Sequence, residues 1–407
     1  MMKSSIKHSY NKIVILGLYY TGYGIIRELY RHNISINVFD KIVKWPETVT
    51  KLAKLMSYGT EGDLLDQLIQ FAQKQDKKPV MYLASDYYVD FFKRNKDILL
   101  KHYLIDFPDS DVVDKFLDKG LFSDFAQKND FLIPQTIVIK SYNDYLKHKS
   151  FIKYPCILKP FWRTENWLKA GLKKVYIFNS SQECEAGINE IIKIENNLII
   201  QEFIPGGDDE VYFHLMYYNN KAQCIGEFTG RKLRQWPVGL GQTACAEPMP
   251  NAIDVKIKSR KLFDFVKYRG FGSVEFRRHP ENGKYYITEP TVGRQDSQSL
   301  IAPANGVYLA SIAYSALTGI SLDLPPAQKR KVFWIDDQYD VFSILTSIPK
   351  GQFNIKHIMR SYAGKKVFRL LNIMDLRVAL YCWTTVIINK LFTKISKMIS
   401  ASIKGRD

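Results

Sequence analysis

Two acids occupy matching places in two short apolar runs: Glu275 in SVEF and Glu289 in YYITEP. Between them lies HPENGK, a polar turn containing Asn282-Gly283. The pattern predicts a β-hairpin with a loop somewhat longer than two residues. An antiparallel hairpin sets residues of its two strands side by side. Two carboxylates on one face repel each other unless a cation lies between them. Carboxylate oxygens together with bound phosphates are the natural setting of Mg²⁺. The plainer alternative is a pair of solvated strand acids. Thr291, two residues past Glu289, shares its face if the strand continues.

Other residues fit a bound nucleotide. Lys159 closes the buried-type strand CILKP, where an ammonium is costly unless it meets an anion such as phosphate. Lys119, in DKGLFSDFA, is a second candidate, and Lys115 competes with it. In IIQEFIPGGDDE, Glu202 ends an apolar strand, and the backbone of Phe203 and Ile204 could offer donor and acceptor to an adenine edge. Glu210 could accept hydrogen bonds from ribose hydroxyls. GRKLRQWP holds Arg231, Lys232 and Arg234 on an extended segment. Strict alternation puts Lys232 and Arg234 on one face and Arg231 on the other. Cations beside a polyphosphate would steady transferring charge. Arg294 follows a Gly and could grip a carboxylate or phosphate bidentately. Each of these also has an ordinary reading as a solvated side chain.

The elements that must carry these residues follow from periodicity. KIVILGL (12–18), TGYGIIRELYRHN and ISINVFD form a βαβ unit, and PVMYLAS continues the series. This predicts a parallel, doubly wound sheet to about residue 110. The early Gly17-x4-Gly22-x-Gly24 lacks dinucleotide spacing, although Asp40 ends the second strand where a ribose-binding acid would sit. An NAD-dependent oxidoreductase on residues 12–40 is therefore one alternative function. DSDVVDKFLDKGLFSDFAQKND is helical in period, and FLIPQTIVI, YPCILKP and NLIIQEFIPG read as strands. DEVYFHLMYYNNKAQCIGEFTGRKLR reads as strand, Asn-Asn turn and strand, and GLGQTAC as a flexible loop.

The 407 residues, 46% hydrophobic, suit two or three packed domains. Five scattered cysteines with no CxxC pair argue against a zinc site and a disulfide framework. They fit a reducing, cytoplasmic setting. The N-terminal run does not read as a signal peptide, and no apolar stretch reaches the roughly 18–20 residues of a membrane span. The net charge of +17 points to acidic partners. Residues 341–407 hold twelve Lys and Arg against two acids. A nucleic-acid enzyme would line its active face with such charge instead, so no nucleic-acid partner is expected.

Taken together, these residues resemble the ATP-grasp superfamily of carboxylate–amine ligases, over about residues 10–325. The narrower likeness, in GRKLRQWP and EPTVGRQDS, is to the D-aspartate-ligase-like branch associated with cell-surface polymers. The resemblance implies an α/β chain. A pre-ATP-grasp doubly wound parallel sheet (1–110) precedes a two-lobed ATP-grasp α+β fold (111–325). The small lobe spans about 135–203 and the large lobe about 204–325. A C-terminal basic helical appendix (326–407) follows. It implies ATP between two antiparallel sheets, with Lys119 and Lys159 on phosphate and adenine. Glu202, Phe203 and Ile204 form the adenine hinge, and Glu210 is the ribose acid. Glu275, Glu289 and Thr291 take the Mg²⁺ positions. Arg231, Lys232 and Arg294 serve phosphate and substrate carboxylate.

Two departures stand out. Thr291 replaces the usual Asn. The phosphate-covering loop, FWRTENWLKAGLKKVY, has one Gly and the bulky Phe161, Trp162 and Trp167, with Arg163, Lys173 and Lys174 as its charges. A non-catalytic nucleotide-binding regulator on the same fold is therefore the other alternative. Lys390, Lys394 and Lys397 share one face of a helix across 376–403, which predicts peripheral contact with an anionic membrane. Partners would otherwise be small-molecule carboxylates and amines, with a homo-oligomer open.

Overall fold

The computed structural model describes residues 10–41, 46–161, 164–173, 175–326, 331–348 and 354–385. The tail lysines 390, 394 and 397, and Trp162, Arg163 and Lys174 of the loop, lie outside the described residues.

The first 110 residues form a parallel sheet. Its strands are β1 (Ile13–Leu16), β2 (Ile36–Lys41), β3 (Lys54–Tyr58) and β4 (Val80–Leu83), in the order β3-β2-β1-β4. β1 and β4 are buried along their whole length, which explains their unbroken apolar runs. β3 escapes sequence reading because KLMSY is mostly exposed and carries little apolar signal.

A second sheet contains β5 (Thr136–Ile139), β6 (Cys156–Pro160), β7 (Tyr176–Phe178) and β8 (Leu198–Glu202), antiparallel in the order β5-β8-β6-β7. It has a core of its own, built on Ile139, Leu158, Trp167 and Ile188. Trp167 explains the bulky loop sequence. It lies in a short helix, Glu165–Lys169, capped by Thr164, and is fully buried in that core.

The third sheet has seven strands: β9 (Val211–Tyr218), β10 (Cys224–Trp236), β11 (Gln242–Pro248), β12 (Gly270–Arg278), β13 (Tyr285–Val292), β14 (Val332–Ile335) and β15 (Lys365–Phe368). Their order is β13-β12-β9-β10-β11-β14-β15. All neighbours are antiparallel except β14 and β15. The sheet thus runs past residue 325 into the basic C-terminal part. GLGQTAC, which reads as a loop, supplies the start of β11.

The first and third sheets share two continuous cores. One joins Leu16 and Phe92 to Met216 and Val274, and the other joins Ile15 and Tyr82 to Leu215 and Trp334. The small sheet has a separate core. Among the described residues no helix is long and apolar enough to cross a membrane.

Candidate active site

A cavity of about 700 Å³ opens between the small and large antiparallel sheets. It extends to Tyr19–Thr21 and Ala84–Asp86, just past the carboxyl ends of β1 and β4, where parallel sheets commonly receive ligands.

The hairpin supplies one wall. Glu275 of β12 is directly opposite Glu289 of β13, so both carboxylates share a face. The loop between the strands has six residues, closed by His279 and Lys284, with Gly283 at φ +67°. A register shift follows Glu275, and the unopposed Thr288 donates its hydroxyl to the Glu275 carbonyl at 3.1 Å. Lys232 of β10 reaches over to Glu275 with 2.6 Å between Nζ and Oε2. It also touches Gln235 Oε1 at 3.2 Å. Among the described residues no group of three or more His, Cys, Asp or Glu gathers as a metal cage. Two facing carboxylates beside room for phosphates nevertheless suit Mg²⁺, which is commonly held by one or two carboxylates plus phosphate and water.

The small sheet supplies the opposite wall. Lys159 of β6 donates to Gln201 Oε1 at 2.9 Å, and Gln201 is itself steadied by Thr136. Lys119 begins the helix Lys119–Lys128, whose N-cap Asp118 accepts from Gly120 and Leu121. That cap breaks the long helical period in two. Lys119 reaches the Phe161 carbonyl at 3.5 Å. Past β8, the Phe203 N–H is spent on the Pro155 carbonyl at 3.0 Å. Of the two hinge donors, Ile204 N–H is the one not spent in this way among the described residues. The Glu202 carboxylate turns back to the Gln135 N–H at 3.1 Å.

Arg277, two residues from Glu275, was missed because a strand Arg before a turn reads as surface. It is buried and spans two loops, donating to the Gly206 carbonyl and, at 3.3 Å, to the Gly239 carbonyl. Its guanidinium also lies 5.1 Å from the Phe203 ring centre. Burial depresses its pKa, opposed by Asp208 and Glu275. The loop it holds closes tightly: a Cβ on Gly241 would stand 2.0 Å from the Trp236 carbonyl carbon.

At the other end, Arg294 is committed to acids. Its Nε lies 2.6 Å from Asp86, and its Nη1 is 3.8 Å from Asp296. Asp296, also missed, lines the cavity and accepts from the Ser273 hydroxyl at 2.7 Å. Burial raises its carboxyl above the ordinary range, opposed by Arg294 and by hydrogen bonds from Ser273 and Thr291. Thr291 lines the cavity close to Asp296.

The early glycine turn has a local explanation. A Cβ on Gly22 would fall 2.1 Å from the Gly17 carbonyl oxygen. Asp40 is buried, accepting from Leu18 N–H at 2.8 Å and Tyr88 hydroxyl at 2.7 Å. Its carboxylate holds the turn rather than facing a cofactor ribose.

No family model matches the chain. By sequence it is 22% identical over 214 residues to the carbamoyl phosphate synthase large chain of Methanobrevibacter smithii, covering 51% of this chain and 19% of that one. The large chain from Neisseria meningitidis serogroup A is 22% identical over 224 residues, 52% of this chain and 20% of that one. The chain thus spans about a fifth of the length of these relatives. Among solved structures, N5-carboxyaminoimidazole synthetase from Staphylococcus aureus, complexed with ADP, matches with TM-score 0.63 at 16% identity. The match covers 84% of this chain and 86% of that one. The biotin carboxylase domain of Hydrogenobacter thermophilus 2-oxoglutarate carboxylase, in complex with MgADP, matches with TM-score 0.59 at 13% identity, over 80% and 74%. These neighbours are ATP-grasp structures. The chain has the ATP-grasp fold.

Within the ATP-grasp cavity lie Lys119, Lys159, Glu202, Phe203, Ile204, Lys232, Glu275, Glu289, Thr291 and Arg294. Arg231 and Glu210 do not line it. Arg231 turns to the opposite side of β10, where Glu247 holds it at 2.5 Å. Glu210 pairs with Arg278 at 3.3 Å.

Proposed function

We propose that the chain is an ATP-dependent ligase that activates a carboxylate as an acyl phosphate and joins it to an amine. The observation that carries this reading is the Glu275–Glu289 cross-strand pair, set across the cavity from Lys119 and Lys159. Glu275 and Glu289 would hold Mg²⁺, which when bound offsets charge on the phosphates. Lys119 and Lys159 would bind the nucleotide from the small sheet, and Ile204 N–H would meet the adenine edge. Lys232 offsets one of the two carboxylate charges of the metal wall by pairing with Glu275. Arg277 ties the loop around Gly239 to the hinge loop, so that closing one orders the other. Arg294, held by Asp86 and Asp296, fixes the substrate end against the N-terminal sheet. The new C–N bond forms when the amine displaces phosphate from the acyl carbon. No protein nucleophile is required.

The test is ADP and phosphate release from MgATP against a panel of carboxylates paired with amines. The expected result is release that needs both co-substrates and disappears in Glu289→Gln. Turnover unaffected by Glu289→Gln would remove the proposal. Thr291, a hydroxyl where the resemblance places a metal ligand, favours a second reading as a nucleotide-binding regulator. ATP binding with no turnover across the panel would select that reading.

A further inference from the structure

The helices Tyr339–Ser347 and Ile355–Ala363 are amphipathic in the reverse sense. Surface helices of a globular protein normally turn apolar residues inward and polar residues outward. Here the buried positions are Asp340, Ser343 and Ser347 on the first helix and Ser361 on the second. These meet a buried cation: Arg234 binds Asp340 at 2.6 Å and Ser361 at 2.9 Å. Tyr362 hydroxyl closes the pair of helices on Asp340 at 2.7 Å.

Apolar residues stand outward at helical spacing, beside the exposed Lys356, Arg360 and Tyr362 of the second helix. Val341 and Leu345 stand exposed on the first helix, Ile348 just past its end, and Ile355 and Met359 on the second, with Leu345 59% and Met359 65% exposed. The segment 376–385 differs, since its inward residues are apolar, but it adds apolar residues to the surface. Val378, Ala379 and Cys382 are buried in the core, and Leu380 and Trp383 point out, 64% and 55% exposed.

Charge selects what covers this face. Lys356 lies on the second helix and Lys365 and Lys366 follow on β15, whereas Arg360 is held by Glu247 at 2.9 Å. A second copy docked on the same face would set like charges together. An anionic lipid surface accepts both features, since apolar side chains enter its interface and the lysines meet its headgroups. From the inverted helices and this charge, we infer that the face formed by Tyr339–Ser347 and Ile355–Ala363 docks on anionic lipid bilayers. The inference is independent of the ligase reading, because its readout is vesicle binding.

The experiment is co-sedimentation of the full chain with vesicles of phosphatidylcholine alone or phosphatidylcholine mixed with phosphatidylglycerol. Binding is expected to the mixed vesicles only. It should weaken as salt rises from about 0.1 M to about 1 M, which shortens the screening length from about 10 Å to about 3 Å. Leu345→Glu combined with Met359→Glu should lower the affinity at least about tenfold. Both positions are exposed, so the thermal midpoint should stay at the wild-type value and report an intact fold. Undiminished binding by this variant would overturn the inference, whether or not deleting residues 386–407 abolishes binding. So would a dimer dissolved by the variant with no vesicle binding, since that would make a second copy the occupant.

Discussion

The Lys232–Glu275 pair permits a quantitative test of the metal wall. At 2.6 Å, in an effective dielectric of about 20, the gross attraction is about 6 kcal/mol. Desolvation cancels most of it, and a net coupling of about 2 kcal/mol is expected. The two single variants should not be equal. Lys232 is 5% exposed in its side chain and Glu275 30%. Glu275→Gln leaves a buried ammonium with neutral amide oxygens in place of a counter-charge, at a cost of about 3 kcal/mol. Lys232→Met leaves a carboxylate that can regain water, at a cost of about 1–2 kcal/mol. Urea unfolding of the wild type, both single variants and the double variant gives the coupling directly. MgATP should protect the wild type and Lys232→Met more than Glu275→Gln. Single-variant effects that add to within about 0.3 kcal/mol would refute the ion pair and its offset of the Glu275 charge.

Glu289 is exposed, so Glu289→Gln should leave stability within about 0.5 kcal/mol while lowering turnover on the order of 10³-fold. A stability loss as large as that of Glu275→Gln would contradict this placement. Arg277→Met removes the donor shared by the Gly206 and Gly239 carbonyls, and the KM for ATP should rise roughly tenfold or more. An unchanged KM would show that the two loops are not tied through this side chain. Glu28, sealed against the Ser311 N–H and hydroxyl, has its carboxyl pushed by burial from an ordinary 4.5 up to about 7. Between those values the folded chain holds a proton that the unfolded chain releases, so stability falls as pH rises, by about 3 kcal/mol in all. Glu28→Gln should therefore gain on the wild type between pH 4.5 and pH 8, as read by urea midpoints. A difference that does not change with pH would sink the argument.

The parts of this molecule legible in its sequence are those in which local chemistry and tertiary role agree. The acid hairpin declares itself through Asn282-Gly283 and two apolar runs, and its acids do face each other. β1 and β4 are apolar throughout because both faces are covered. What escaped depends on register and on distant partners. Alternation along β10 places Lys232 and Arg234 together. Register shifts on either side of Arg234 instead send Lys232 to Glu275 and Arg234 to Asp340. Asp296 looks like a polar loop residue until Ser273 and Arg294 are seen around it. Trp167 reads as an obstacle in a phosphate loop, yet it is a core anchor. The long helical period before Pro134 hides the Asp118 cap that positions Lys119, because Asp suits a helix surface as well as its start.

The placement of β14 sets the smallest piece of chain that can stand alone. It lies between β11 and β15, although more than eighty residues separate it in sequence from the end of β11. A fragment cut at residue 325 would keep every cavity residue named above and still leave β11 as a bare edge, its N–H and C=O groups free to recruit another chain. It would also lose Trp334 and Leu370 from the core shared with the N-terminal sheet. Such a fragment is expected to aggregate. Grafting this nucleotide site onto another scaffold therefore requires carrying the C-terminal strands with it.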